Sequence, residues 1–220
     1  MTLFWNCLPL LLKGLQLTLA ILAASGAISF LLGTIFGILL SDRLRIAGLS
    51  KCIEAIAFIY RAVPFYVQLL IVYFVLPDLL GCNLGPFTAS IIALGGCSAG
   101  YIAQAVRSGI NAVPDLQWES GFVLGLPRIK TLRHIILPQA LRLILPNLCN
   151  EFDAMLKSTS IASSIGLLEL TRASMNLVSR EMEPVPIYLM TALFYLVISL
   201  GINTLMRLLE RRLSCCKSTV

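Results

Sequence analysis

No charged side chain occurs between Gly14 and Leu40. A helix needs about 20 consecutive apolar residues to cross the hydrocarbon of a bilayer, and this run is long enough to do so. It also exceeds the apolar core of a cleavable signal peptide, about 7–15 residues, and no small-residue cleavage site closes it in a polar flank. A retained membrane helix is expected over 14–40. Further along, Ala55–Pro77 is interrupted by Arg61 alone, Leu79–Val106 is uncharged behind a turn at Gly81–Pro86, and Pro184–Met206 is uncharged. Composition agrees, with 58% of residues hydrophobic and 13% charged, against about 25% charged in soluble domains. A soluble globular enzyme is excluded.

Ile135–Leu156 differs, because Pro138, Arg142, Pro146, Glu151 and Asp153 lie within it. An ionised carboxylate at bilayer depth is costly, so a span here must face protein or a wet cavity. Spans at about 14–40, 55–77, 85–106, 135–156 and 184–206 then make residues 1–220 a single all-α transmembrane domain. Five spans put the termini on opposite sides. With the N-terminus outside, the inward segments around 43–51, 107–133 and 207–217 hold eleven Lys and Arg, and the outward ones hold Lys13, Lys157, Arg172 and Arg180. The positive-inside rule therefore places the N-terminus outside and the C-terminus in the cytoplasm. The net charge of +6 lies in these short clusters between apolar runs and not on one soluble face, which argues for membrane lipid and against nucleic acid as its partner.

The seven cysteines form no C-x-x-C pair and no Cys/His spacing suited to zinc, and most fall inside apolar runs, so they are expected to be small buried hydrophobes; Cys215 and Cys216, just beyond the last apolar run, are open to acylation but are read first as incidental tail residues. Gly33 with Gly37 and Gly96 with Gly100 set small residues one turn apart, either for close helix packing or by chance, since glycine is common in membrane helices.

The stretch 107–137 is too polar to span and too patterned for an arbitrary loop. Pro114 and Asp115 suit a helix start and Gly125 suits a left-handed stop, so a short helix is expected over 114–124. A second begins at Pro127 and carries Arg128, Lys130 and Arg133. Leu116, Glu119, Ser120 and Val123 share one face of the first helix. Gly121 in its interior costs about 1 kcal/mol relative to alanine, which implies that another surface approaches the backbone there. Periodicity leaves a membrane-surface helix and a docking helix equally open.

Glu119-Ser120-Gly121, Gly125 and the distal Ile135-Ile136-Leu137-Pro138 resemble the EAA loop of ATP-binding cassette importer permeases. The flanks are similar to the polar amino acid branch of that family: Ala99-Gly100-Tyr101-Ile102-Ala103-Gln104, Arg107-Ser108-Gly109-Ile110, Leu137-Pro138-Gln139-Ala140, Asn150-Glu151 and Leu156-Lys157-Ser158-Thr159-Ser160. Tyr60-Arg61-Ala62-Val63-Pro64 with Gln68 resembles the FRGTP…Q segment of the same branch, and the similarity covers most of 14–209. Ser120 and Gly121 replace two alanines, Gln104 stands where the branch usually has Glu, and Ser158 where it usually has Asp.

The resemblance implies a five-span type I importer permease in the bacterial inner membrane, moving a polar amino acid by alternating access. It implies two ATPase subunits, a second permease copy or paralogue, and an extracytoplasmic solute-binding protein. It assigns Glu119, Ser120, Gly121, Gly125 and Pro138 to ATPase coupling. ATP and magnesium belong to the ATPase, and this chain carries no cofactor and is not an enzyme. In keeping with that, no G-x-x-x-x-G-K-[ST] phosphate loop occurs.

An intramembrane enzyme finds no support either. His134 is the only histidine, no H-E-x-x-H exists, and Ser163-Ser164-Ile165-Gly166 is not a nucleophile elbow. The substrate pathway is expected at Glu151, Asp153, Gln104 and Arg61. Two residues apart, Glu151 and Asp153 sit about 200° around a helix and cannot face one cavity. Asn150-Glu151 falls in the part that resembles the permease branch and Asp153 does not, so the resemblance assigns the path to Glu151, with Asp153 paired or near the outer interface; a position of both acids at the interface beside Lys157 stays equally open. The rival is a self-sufficient channel or secondary transporter that relays ions through both acids.

Overall fold

The computed structural model describes residues 2–214, and those residues are all helix and connecting turns. Helix α1 (Thr2–Leu40) holds 39 residues, about 58 Å at 1.5 Å per residue against about 30 Å of hydrocarbon. The expected first span is therefore the inner part of a longer helix. A loop at 41–46 leads to α2 (Ala47–Ala62).

The expected unbroken span at 55–77 does not form. The helix stops at Val63 and restarts as α3 (Phe65–Leu70), which runs through a wide π turn (Ile71–Val75) into α4 (Leu76–Leu80), and the two arms are bent by 104°. Pro64 is the cause, because the residue before proline is pushed out of the helical region, and Val63 sits at φ −86°, ψ 130°. Gln68 repairs the break: its Nε2 donates to the Tyr60 and Val63 carbonyls, each at 2.6 Å.

Helix α5 (Pro86–Asn111) is followed by the short α6 (Asp115–Val123) and α7 (Arg128–Thr131), and a π turn (Leu132–Ile136) leads into α8 (Leu137–Ser158). A tight helical segment (Thr159–Ile165) ends at Gly166. Helix α9 (Leu170–Glu181) falls in the charge-rich segment 169–183, where no element was expected. Its Leu170, Ala173, Ser174 and Leu177 form a buried stripe, and the Glu169 carboxylate caps it by accepting from the Thr171 and Arg172 amides. Helix α10 (Pro184–Ser214) runs past the expected end at 206.

By length and composition α1, α5 and α10 can each cross a bilayer, and the bent α2–α4 pair makes a fourth candidate if its two arms together form one span. Helix α8, which carries Arg142, Glu151 and Asp153, packs on α5, α1 and α10 through Ala140, Ile144, Leu145, Leu148, Met155 and Leu156. One face of α8 is thus packed against protein, while Asn147, Asn150 and Ala154 on it are exposed.

Both small-residue pairs are packing sites. A Cβ at Gly33 would meet Ile102 at 2.6 Å and one at Gly37 would meet Val106 at 2.5 Å, so α1 lies directly on α5. Gly96 lies against Tyr60 and Gly100 against the Ala57 carbonyl, which seats α2 on the other side of α5. The cysteines divide: Cys7 and Cys97 are buried and Cys149 half-buried, but Cys52 and Cys82 are exposed. Position 82 follows the Gly81 turn, and position 52 lies on α2 away from its buried Ser50, Ile53 and Ala57 stripe. Cys215 and Cys216 lie outside the described residues.

Candidate functional site: a docking helix and a charged cleft

Beyond the end of α5, α6 starts after Pro114, whose fixed φ suits a helix entry, and ends at Gly125 with φ +71°. The Leu126 amide donates back to the Gly121 carbonyl at 3.0 Å and closes the stop. Leu116, Phe122 and Val123 are 67%, 81% and 85% exposed, and Leu124 and Ile129 join them. An apolar patch of this kind on the outside of a helix marks an interaction surface. Beneath it, Trp118 is buried in a core shared with Val113, Leu132 and Ile136 and continuing to Ile102 of α5 and Leu148 of α8. The exposed helix is thus packed directly onto the membrane bundle.

A groove of about 430 Å³ on this helix is lined by Arg43, Trp118, Glu119, Phe122, Val123, Leu126, Arg128 and Thr131. Glu119 lies in it, exposed. Ser120 is exposed and its hydroxyl donates to the Leu116 carbonyl at 2.7 Å. Gly121 is buried, and what approaches it is this chain's own Thr131: a Cβ there would meet Thr131 Cγ2 at 2.5 Å and Oγ1 at 2.7 Å. Pro138 is exposed in the first turn of α8, outside the groove. Arg43 was not apparent from sequence. Its Nη2 lies 2.7 Å and its Nε 3.2 Å from Asp115 Oδ1, and that hydrogen-bonded carboxylate raises the guanidinium further above its ordinary range.

Within the bundle, two clefts of about 520 and 460 Å³ adjoin along α5 and α8 and share Tyr101, Glu151 and Ala154. The first includes Arg61, Pro64, Cys97 and Ser98, and the second includes Gln104, Ser108, Asn147 and Asn150. The Arg61 Nε donates to the Ala57 carbonyl at 3.2 Å, which holds the side chain along α2, and Arg61 lines the cleft. The Ser98 hydroxyl lies against the Glu151 carboxylate. Glu151 therefore shares one cleft with Arg61 and the adjoining one with Gln104. Asp153 lines neither: it turns to α10, accepts from the Ser199 hydroxyl and pairs with Lys157 at 2.6 Å. Tyr101, Ser98 and Asn147 were missed, although Ser98, Tyr101 and Ala105 in α5, and Asn147, Glu151 and Ala154 in α8, each follow helical spacing.

Residues 29–214 match the family of binding-protein-dependent transport system inner membrane components. The chain belongs to that family. This inner membrane component is 34% identical over 214 residues to the glutamine transport system permease protein GlnP of Escherichia coli K12, with 95% of each chain covered. It is 33% identical to the arginine transport system permease protein ArtQ of Bacillus subtilis, covering 94% of this chain and 93% of that one. Among solved structures, the crystal structure of an amino acid ABC transporter with histidines superposes with a TM-score of 0.85 at 33% identity, covering 95% of this chain and 96% of that chain. The inward-facing MetNI methionine ABC transporter shares the fold, with a TM-score of 0.80 at 20% identity over 94% of this chain and 97% of that one. The component is an all-helical, multi-pass inner membrane protein with the type I ABC importer permease fold.

Proposed function

We propose that this chain is the permease subunit of an ATP-driven amino acid importer, that its substrate is a zwitterion with a neutral polar side chain, and that it works by alternating access. One observation carries the reading. A single packed core joins an exposed apolar helix, a surface that needs a partner, through Ile102 and Leu148 to the cleft of Glu151 and Gln104, and Glu151 also lines the adjoining cleft that includes Arg61.

In the cleft, Glu151 receives the substrate ammonium and Arg61 its carboxylate, both as charge-assisted hydrogen bonds. Gln104, Ser108, Asn147 and Asn150 supply neutral hydrogen bonds to the side chain. A lysine, arginine or glutamate substrate would bring a further charge with no partner in the lining, and such burial is expensive. Named relatives transport glutamine, arginine and L-cystine, which supports an amino acid as cargo.

The N-terminus lies outside, so α6 faces the cytoplasm, where Leu116, Glu119, Phe122 and Val123 dock on an ATPase that binds ATP and magnesium. Five spans enclose a path poorly alone, so a second permease copy or a paralogue completes it, with two ATPases below and a solute-binding protein above. The test is uptake by proteoliposomes holding the complex purified through this chain, with ATP enclosed and the binding protein outside. Labelled glutamine should enter only with ATP, and faster than arginine or glutamate. Uptake that follows a proton or sodium gradient without ATP overturns the reading in favour of a self-sufficient transporter built on Glu151 and Asp153.

A further inference from the structure

The 41–46 loop between α1 and α2 touches the α5–α6 corner at three successive residues. The Asp42 amide donates to Asn111 Oδ1 at 3.1 Å, and Asn111 Nδ2 donates to the Asp42 carboxylate at 3.0 Å, a reciprocal pair that fixes the loop against the end of α5. Leu44 packs on the core that contains Val113 and Trp118. Between them, Arg43 reaches the first turn of α6 with two nitrogens on one Asp115 oxygen, and it also stands in the groove beside Glu119.

Helix α6 is therefore held from two sides. On one, Thr131 lies on Gly121 and Gln139 donates to Gln117 at 3.4 Å, and this side continues through α8 to Glu151. On the other, the loop continues into α2, whose last turn carries Arg61. The two arms end on two different helices that line the same cleft, α2 with Arg61 and α8 with Glu151.

We propose that Arg43 is a positioning residue of the coupling machinery: the 41–46 loop is a second arm through which movement of the docking helix reaches α2, so that Arg61 and Glu151 are shifted relative to each other in one step. The proposal rests on the importer reading above. A transporter coupled only through α8 would move one wall of the cleft, and the substrate carboxylate would stay held by Arg61 while its ammonium was released.

The Arg43–Asp115 pair is half exposed in the isolated chain, at 48% and 71%. Solvent-exposed pairs contribute little, and a docked partner that excludes water moves this one toward the upper end of that range. The experiment reads substrate imported per ATP hydrolysed by the complex in proteoliposomes, for R43D, D115R, the swap R43D/D115R and the neutral R43Q. Each single variant is expected to lower that ratio about threefold with assembly intact, and the swap to restore it to within about twofold of the parent. A structural role alone would lower the amount of assembled complex and leave the ratio unchanged. An unchanged ratio in R43D and R43Q, or a swap no better than the singles, refutes the second arm. So does failure of R43Q to assemble, since an exposed pair has no such weight in folding. The two failures are distinguishable: no ATP-driven uptake by the parent complex removes the function, whereas ATP-driven uptake with a normal ratio in R43Q removes the arm alone.

Discussion

Replacing Gly121 by alanine tests what the small residue in the docking helix is for. Two effects oppose. Alanine improves the helix by about 1 kcal/mol, because glycine has more backbone freedom to lose. Against that, the new methyl would stand 2.5 Å from Thr131 Cγ2 and 2.7 Å from Oγ1, closer than real contacts allow. Thr131 is 2% exposed and cannot swing into solvent, and overpacking of this kind costs about 1–3 kcal/mol. The clash wins, and G121A should lose about 1 kcal/mol in the seating of α6 on α7. Removing both terminal atoms in T131A leaves Thr131 Cβ, at 3.1 Å, as the nearest atom. The double variant G121A/T131A should then recover and be at least as stable as T131A alone. Protection of the Trp118 and Thr131 amides from hydrogen exchange in the detergent-solubilised chain, without any ATPase, reads this directly. Protection in G121A equal to the parent, or no recovery in the double variant, refutes the close approach. If Gly121 instead served the ATPase, the free chain would be unaffected and T131A would rescue nothing. The alanine usual at this place in the EAA loop is thus excluded here by a single neighbour ten residues on.

Four further outcomes follow from the site. E151Q should lower uptake about tenfold or more, the scale of a lost hydrogen bond to a charged group, without lowering the amount of complex, whereas D153N should spare uptake; the reverse pattern in a transport assay reassigns the path. E119K should reduce ATPase association and transport together, and unchanged transport would remove Glu119 from coupling. F122A/V123A should halve or further reduce the ATPase recovered with the tagged chain, since both side chains present most of their surface to a partner. In a cysteine-free background, single cysteines at Asp78 and Arg128 should label from opposite sides of the membrane, and labelling of position 128 in intact cells by an impermeant reagent would invert the topology.

Much of this arrangement was legible along the chain. Charge-free runs marked the long apolar helices α1, α5 and α10, because hydrocarbon tolerates little else, and the angle between neighbouring helix positions separated Glu151 from Asp153 before any contact was known. The break at Val63 was carried by one proline, a local signal that averaging apolarity over a whole span conceals. Illegible were the meetings of distant residues: Arg43 with Asp115, Gly121 with Thr131, and Tyr101 with Glu151. Each depends on how whole helices lean on one another, and no spacing within a single helix encodes that. Helix α9 escaped notice because its buried stripe is short and interleaved with Arg172, Arg180 and Glu181.

The wide turn at Leu132–Ile136 acts as a phase adjuster for α8. Leu132, Ile136, Ala140, Ile144 and Leu148 all belong to one core although they recur every fourth residue. In a uniform α-helix that spacing drifts about 40° per step and would carry the stripe nearly halfway round the helix. A π turn holds more residues per revolution and takes up part of the drift. Pro138, which has no amide hydrogen to offer the preceding turn, makes the loosened turn easier to keep. Deleting one residue there would rotate everything downstream by about 100°. The damage would surface not at the deletion but about 22 Å away, fifteen residues further on, where Glu151 would be turned out of the cleft it shares with Arg61. The end of α8 beside the docking helix thus sets the bearing of a carboxylate at its far end.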